Sequence, residues 1–192
     1  MKRQKHNCMN CYKYLPHEHP ERLGKIPNTP IVFVCGDGDI SFSTPEYTNR
    51  INDTIKLKSK SWQTVYFQSK NPEYFEQFEF SENAVLVTTL ETDDDEIYKG
   101  ISKAPTVSKR AEAFRKLSHP RKIVTVEPLI KNNTKRFASI IESIKPEAVW
   151  IGYNSRPKQV SLPEPPLEQT SELINMLADF TMVKPKTIRE AI

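Results

Sequence analysis

Ala84-Val85-Leu86-Val87-Thr88-Thr89-Leu90 is an unbroken run of apolar and β-branched residues that ends on Glu91. A strand with one solvated face alternates apolar and polar residues, whereas a continuous run suits a strand covered on both faces, as in a parallel sheet. Four further runs have the same character: Ile31–Cys35, Val65–Gln68, Ile123–Val126 and Val149–Tyr153. Between them lie amphipathic stretches that read as helices: Glu46–Lys58, Pro72–Phe78, Ser108–Leu117, Thr134–Ile144 and Leu167–Phe180. Pro45, Pro72 and Pro146 punctuate the joins, and Pro72 suits a first helical turn. Strand and helix in repeated alternation give an α/β fold of parallel strands, either a barrel or an open doubly wound sheet. Leu162-Pro-Glu-Pro-Pro166 is too short for an interdomain linker and reads as a stiff loop before the last helix. A final short strand is expected near Met182–Lys184.

The chain has 192 residues, enough for one domain of ordinary size, and its 37% apolar content is workable for a core. Lys and Arg outnumber Asp and Glu by 28 to 24, an excess that permits a polyanionic ligand without announcing one. No run approaches the ~18 apolar residues of a membrane span, and the opening MKRQKHN lacks the apolar stretch of a signal peptide. The expectation is a cytoplasmic protein without membrane contact.

Cysteine usage is the sharpest chemical signal. Cys8-Met9-Asn10-Cys11 is a C-x-x-C pair, and Cys35 is the only other cysteine. Two thiolates from one tight turn grip a soft metal or a metal–sulfur cluster, and three cysteines so arranged do not make a disulfide framework. The remaining ligands are to be sought in His6, His17, His19 and Cys35, or upstream of Met1.

Polar residues gather at the strand ends. Ile31–Cys35 runs into Gly36-Asp37-Gly38-Asp39, Val65–Gln68 into Lys70, Ala84–Leu90 into Glu91, Ile123–Val126 into Glu127, and Val149–Ile151 into Tyr153 and Asn154. In β/α folds the carboxyl ends of the strands carry the active site, because the βα loops converge there. A ligand-binding rim is therefore expected, although any one of these acids could equally cap a helix.

Taken in order, Cys8-x-x-Cys11-Tyr12, Gly36-Asp-Gly-Asp39, Gln68-Ser-Lys-Asn-Pro72, Thr88-Thr-Leu-Glu91, Ile101-Ser-Lys-Ala-Pro105 with Lys109-Arg110, Val124-Thr-Val-Glu-Pro128 and Ile151-Gly-Tyr-Asn154 resemble a radical SAM superfamily protein. The likeness is to a poorly characterised branch found in phages, archaea and bacteria, and Leu162-Pro-Glu-Pro and Val183-Lys-Pro-Lys-Thr187 extend it to the tail. The resemblance implies a partial (β/α) barrel whose [4Fe–4S] cluster is held by three cysteines of one loop. It also implies that S-adenosylmethionine binds the open iron and is cleaved to a 5′-deoxyadenosyl radical. Cys8 and Cys11 match the last two cluster cysteines. Asp37 or Asp39 falls where the methionine ammonium finds acceptors, and Lys70, Glu91, Glu127, Tyr153 and Asn154 fall where cofactor or substrate is contacted. An electron donor such as a flavodoxin or ferredoxin is implied. A nucleic acid or nucleotide substrate is conceivable, but no residue here reads a base.

The chain departs from that pattern in two places. The usual C-x3-C-x2-C arrangement puts the first cysteine at Gln4 and the wider C-x6-C-x2-C spacing puts it at Met1, and the seven residues before Cys8 leave no room for the first barrel strand. The expectation is an amino-terminally shortened, single-domain partial barrel, with residues 1–30 as cluster loop and irregular segment and residues 31–192 as β/α units. Without a first strand, Ile31–Cys35 would lie at a sheet edge. Two readings keep the chain intact. In one, Cys35 supplies the third thiolate, since neighbouring strands lie only ~5 Å apart. In the other, His6, Cys8, Cys11, His17 and His19 provide a zinc site on a non-catalytic barrel remnant, although C-x2-C-x5-H-x-H is not a standard finger. Taken one by one, the histidines read as exposed loop residues beside Pro16 and Pro20.

The other motifs are weaker. Gly36-Asp-Gly-Asp39 lacks the glycine spacing and Lys-Ser/Thr of a phosphate loop. Asp93-Asp-Asp-Glu96 reads as a solvated loop opening a helix, where acids suit the positive dipole end. In Ser108–Lys116, packing through Ala111, Phe114 and Leu117 explains most of a basic helix.

Overall fold

The computed structural model describes residues 8–13, 15–36 and 38–191. The protein is α/β: six strands, all parallel and ordered as in the sequence, alternate with helices in the manner of a partial β/α barrel. The chain divides into two compact units. One runs to Gln68 and includes Gln77–Ala84; the other comprises Ser69–Glu76 and the chain from Val85 onward.

In the first unit, β1 (Ile31–Val34) pairs in parallel with β2 (Thr64–Gln68), Val32 opposite Val65. The connection is helix α2 (Pro45–Lys58), which follows the four-residue helix α1 (Met9–Tyr12). The Thr44 hydroxyl caps α2 by accepting from Tyr47 N, Pro45 fills its first turn, and Lys56 and Lys58 sit where the dipole is negative. Tyr47, Ile51 and Ile55 recur at helical spacing and are buried, and burying each isoleucine stabilises the fold by about 1.5–3 kcal/mol. Gln63, 3% exposed, holds the loop before β1: its amide donates to Pro27 O and Thr29 O at 2.8 Å each, and its carbonyl accepts from Lys60 N at 3.0 Å.

The second unit carries β3 (Ala84–Thr89, Ala84 excepted), β4 (Lys122–Val126), β5 (Ala148–Ile151) and β6 (Met182–Pro185), each parallel to the next. Every residue of β3 and β4 is buried, as their apolar and β-branched runs require, and Lys122, which opens β4, donates from Nζ to Phe114 O at 3.3 Å and to Leu117 O at 3.2 Å. Helices α3 (Asp95–Lys99) and α4 (Val107–Lys116) connect β3 to β4. Helix α5 (Thr134–Ile144) leads to β5 and α6 (Leu167–Ala178) to β6. Phe137, Ile141 and Ile144 form the buried stripe of α5, which Asn133 caps and a left-handed Lys145 (φ 55°) ends.

Two elements differ from expectation. The stretch read as a helix over Pro72–Phe78 is a six-residue 3-10 helix, Pro72–Gln77, anchored by the buried Pro72 and Phe75. The acidic run opens a helix as expected, with Asp94 capping Glu96 N and Ile97 N, but Asp93 is not solvated. Its fully buried carboxylate accepts from Asn133 N at 2.9 Å and from the Arg136 guanidinium, tying the loop to the start of α5.

Candidate metal centre

Cys8 is the N-cap of α1, and its sulfur accepts from Cys11 N at 3.4 Å, so the one-turn helix sets both thiols on the same side. The chain then runs without regular structure through Pro16-His17-Glu18-His19-Pro20. Proline at both ends disfavours helix, and Pro20 holds His19 outside the α region at φ −123°, ψ 73°. In extended chain, residues i and i+2 share a side. His17 and His19 therefore face together, and Glu18 turns the other way.

The result is a four-atom group. His17 Nε2 lies 3.2 Å from Cys8 Sγ, 3.4 Å from Cys11 Sγ and 2.8 Å from His19 Nε2, and His19 Nε2 lies 3.1 Å from Cys11 Sγ. All four ligand atoms fall within 4.8 Å of one another. Zn–S and Zn–N bonds of about 2.3 and 2.0 Å give tetrahedral edges of about 3.5 Å for sulfur to nitrogen and about 3.3 Å for nitrogen to nitrogen. An expansion of a few tenths of an ångström admits one ion.

The outer contacts match metal ligation. His17 Nδ1 donates to Leu15 O at 2.7 Å and His19 Nδ1 donates to a Glu21 carboxylate oxygen at 2.7 Å, so both Nε2 atoms are left as lone-pair donors. The Cys11 backbone N–H holds the Cys8 thiol below its ordinary pKa, while burial and the neighbouring Cys8 raise that of Cys11. Glu18 accepts from Thr44 N at 2.8 Å and from the Thr44 hydroxyl at 2.7 Å, joining the ligand segment to the start of α2.

The sequence reading is corrected at the histidines. His17 and His19 are half-buried members of this group rather than exposed loop residues. The alternation H-x-H between two prolines was the available signal. Cys35 lies outside the group; it ends β1 in the left-handed region at φ 55°, and burial pushes its thiol up to about 11. His6 and Asp37 lie outside the described residues. Asp39 accepts from Ser41 N at 2.9 Å and caps a 3-10 turn, Ile40–Phe42.

In the second unit the structure brings Lys70 and Glu91 together. The Glu91 carboxylate, buried after β3, accepts from Lys70 Nζ at 2.5 Å and from Arg110 Nη2 at 2.7 Å. Arg110 belongs to the basic helix whose packing was expected through Ala111, Phe114 and Leu117. It is 1% exposed, donates from Nε to Pro105 O at 3.0 Å and from Nη1 to Thr89 O, and lies 4.6 Å above the Tyr98 ring. Its place in the buried stripe Val107, Arg110, Ala111, Phe114 could have shown this. Glu127 pairs with Lys186 at 2.8 Å. The Tyr153 hydroxyl donates to Pro165 O at 3.0 Å and meets the Thr170 hydroxyl at 2.5 Å. Asn154 N donates to Glu164 at 3.1 Å, and Arg189 grips both oxygens of that carboxylate at 2.8 Å. Tyr153 and Asn154 are thus both held by hydrogen bonds within the second unit.

Protein-family models and curated proteins were both compared with the chain, and nothing matches.

Proposed function

We propose that this chain is a zinc-binding β/α module in which Cys8, Cys11, His17 and His19 hold one Zn²⁺. The observation that carries the reading is the convergence of two thiols and two imidazole Nε2 atoms within 4.8 Å. Borderline-soft zinc takes this mixed tetrahedral set, and both imidazoles have the outer partners that fix their tautomer. Four protein ligands fill the coordination sphere and leave no position for a reactive water, so the ion's role is to organise the segment around residues 8–21. Each thiol gives up a proton on binding, so metal uptake releases protons and weakens as pH falls. Metal analysis of protein purified without added chelator tests this: one zinc per chain is expected, and zinc-free, fully folded protein overturns it.

A second reading, the iron–sulfur radical SAM protein that the sequence resembles, is favoured by the charged ends of parallel strands in the second unit, Glu91 with Lys70 after β3 and Glu127 after β4. It requires a cluster rather than one ion at Cys8 and Cys11. Anaerobic reconstitution with iron and sulfide separates the two: brown protein with roughly four irons per chain supports the cluster, and colourless protein with one zinc supports the single ion.

A further inference from the structure

A cavity of about 600 Å³ lies in the first unit, well within the size range of small-molecule sites. Three metal-group residues, Cys11, His17 and His19, line it. The rest of its wall is largely apolar, with Leu23, Ile26, Val32, Tyr47, Ile51 and Ile55 contributing from the ligand segment, β1 and α2. The charged lining groups are mostly engaged elsewhere. Glu18 accepts from Thr44, Asp39 caps Ser41 N, Arg22 lies 4.0 Å from Glu21, and Lys25 is solvent-exposed. Cys35 adds a thiol that burial keeps neutral.

The wall is held at two places. His17 and His19 anchor it through the metal group, and the buried Gln63 amide anchors Pro27 and Thr29. Chain without regular secondary structure keeps a cavity open only if such anchors fix it.

We infer that this cavity binds one neutral, apolar small molecule, and that the metal-held segment Leu15–Pro27 forms the wall that shapes it. The chemical class follows from the lining: a charged ligand would be desolvated against apolar side chains, with only the exposed Arg22 and Lys25 as lining cations, whereas an apolar one gains from burial. The part played by the metal rests on the zinc reading above.

The test titrates the neutral fluorophore 1-aminoanthracene into the zinc-loaded chain, into chelator-treated chain, and into Ile51→Trp and Thr54→Trp. Ile51 is buried in α2, whereas Thr54 is half-buried and its replacement spares the core, so the second variant keeps the test valid if the first does not fold. One probe per zinc-loaded chain is expected, with affinity about tenfold weaker in the folded tryptophan variants and after chelation. Zinc-loaded protein that takes no probe overturns the cavity and leaves the zinc reading standing. Unchanged affinity in folded Thr54→Trp places the probe elsewhere and also overturns it. Equal affinity before and after chelation overturns the role of the metal-held wall. Protein that holds no zinc, yet binds the probe in a tryptophan-sensitive way, overturns the zinc reading and the metal's part while the cavity stands.

Discussion

His19 Nδ1 donates to the Glu21 carboxylate across 2.7 Å, leaving Nε2 facing Cys11 Sγ at 3.1 Å. This contact fixes the imidazole tautomer that ligation needs and raises the basicity of the ligating nitrogen. Glu21→Gln keeps the shape but removes the charge, so zinc affinity should fall by about 10–100-fold with the far-UV circular dichroism unchanged. Competition against a chromophoric chelator measures it, and an affinity equal to that of the parent chain would mean that Glu21 does not act on the site.

The three thiols should react in two classes. Under the zinc reading, metal shields Cys8 and Cys11 and chelation exposes them, whereas Cys35 is half-buried and burial pushes its thiol up to about 11. A disulfide reagent at pH 8 should therefore modify two thiols rapidly after chelation and the third more slowly. Labelling of Cys35 in native protein as fast as that of Cys8 and Cys11 would contradict its raised pKa.

Cys35 also predicts a pH dependence. Its folded value, about 11, lies above the ordinary thiol value of 9.0. Between those limits the unfolded chain ionises while the native thiol keeps its proton, so the unfolded state binds fewer protons and stability falls as pH rises. The contribution is fully present below pH 9 and lost by about pH 11, amounting to roughly 2–3 kcal/mol. Urea unfolding of the parent chain and Cys35→Ala across this window should show the parent losing that much more.

Arg110 and Glu91 form the deepest ion pair, with side-chain exposures of 0% and 2%. Arg110→Met leaves Glu91 buried with only Lys70 beside it and should cost about 3–5 kcal/mol, whereas Arg110→Met with Glu91→Leu removes both charges and should recover much of the loss. Denaturant titration of the three variants tests this. A single substitution as mild as the double one would mean that Glu91 is solvated in solution.

The fold was legible because its signal is local. The runs at Ala84–Leu90 and Ile123–Val126 have no polar face to solvate, and the structure buries β3 and β4 along their full length. The helix expected over Pro72–Phe78 is the 3-10 helix Pro72–Gln77, a distinction that an apolar pattern over so few residues does not carry. Half of the metal group was visible in the spacing of Cys8 and Cys11. His17 and His19 were obscured because C-x5-H-x-H matches no familiar finger, and their alignment depends on extended backbone between Pro16 and Pro20. The packing face of α4 was read through Ala111, Phe114 and Leu117, and Arg110 shares that inward stripe, where it meets Glu91.

The most direct measurement is the metal content of purified Cys11→Ser and His19→Ala beside the parent chain, by plasma mass spectrometry. One zinc per parent chain, with most of it lost in each folded variant, is expected from four converging ligands. A parent chain that folds with no zinc, or one that holds iron and sulfide in its place, would contradict the single-ion site.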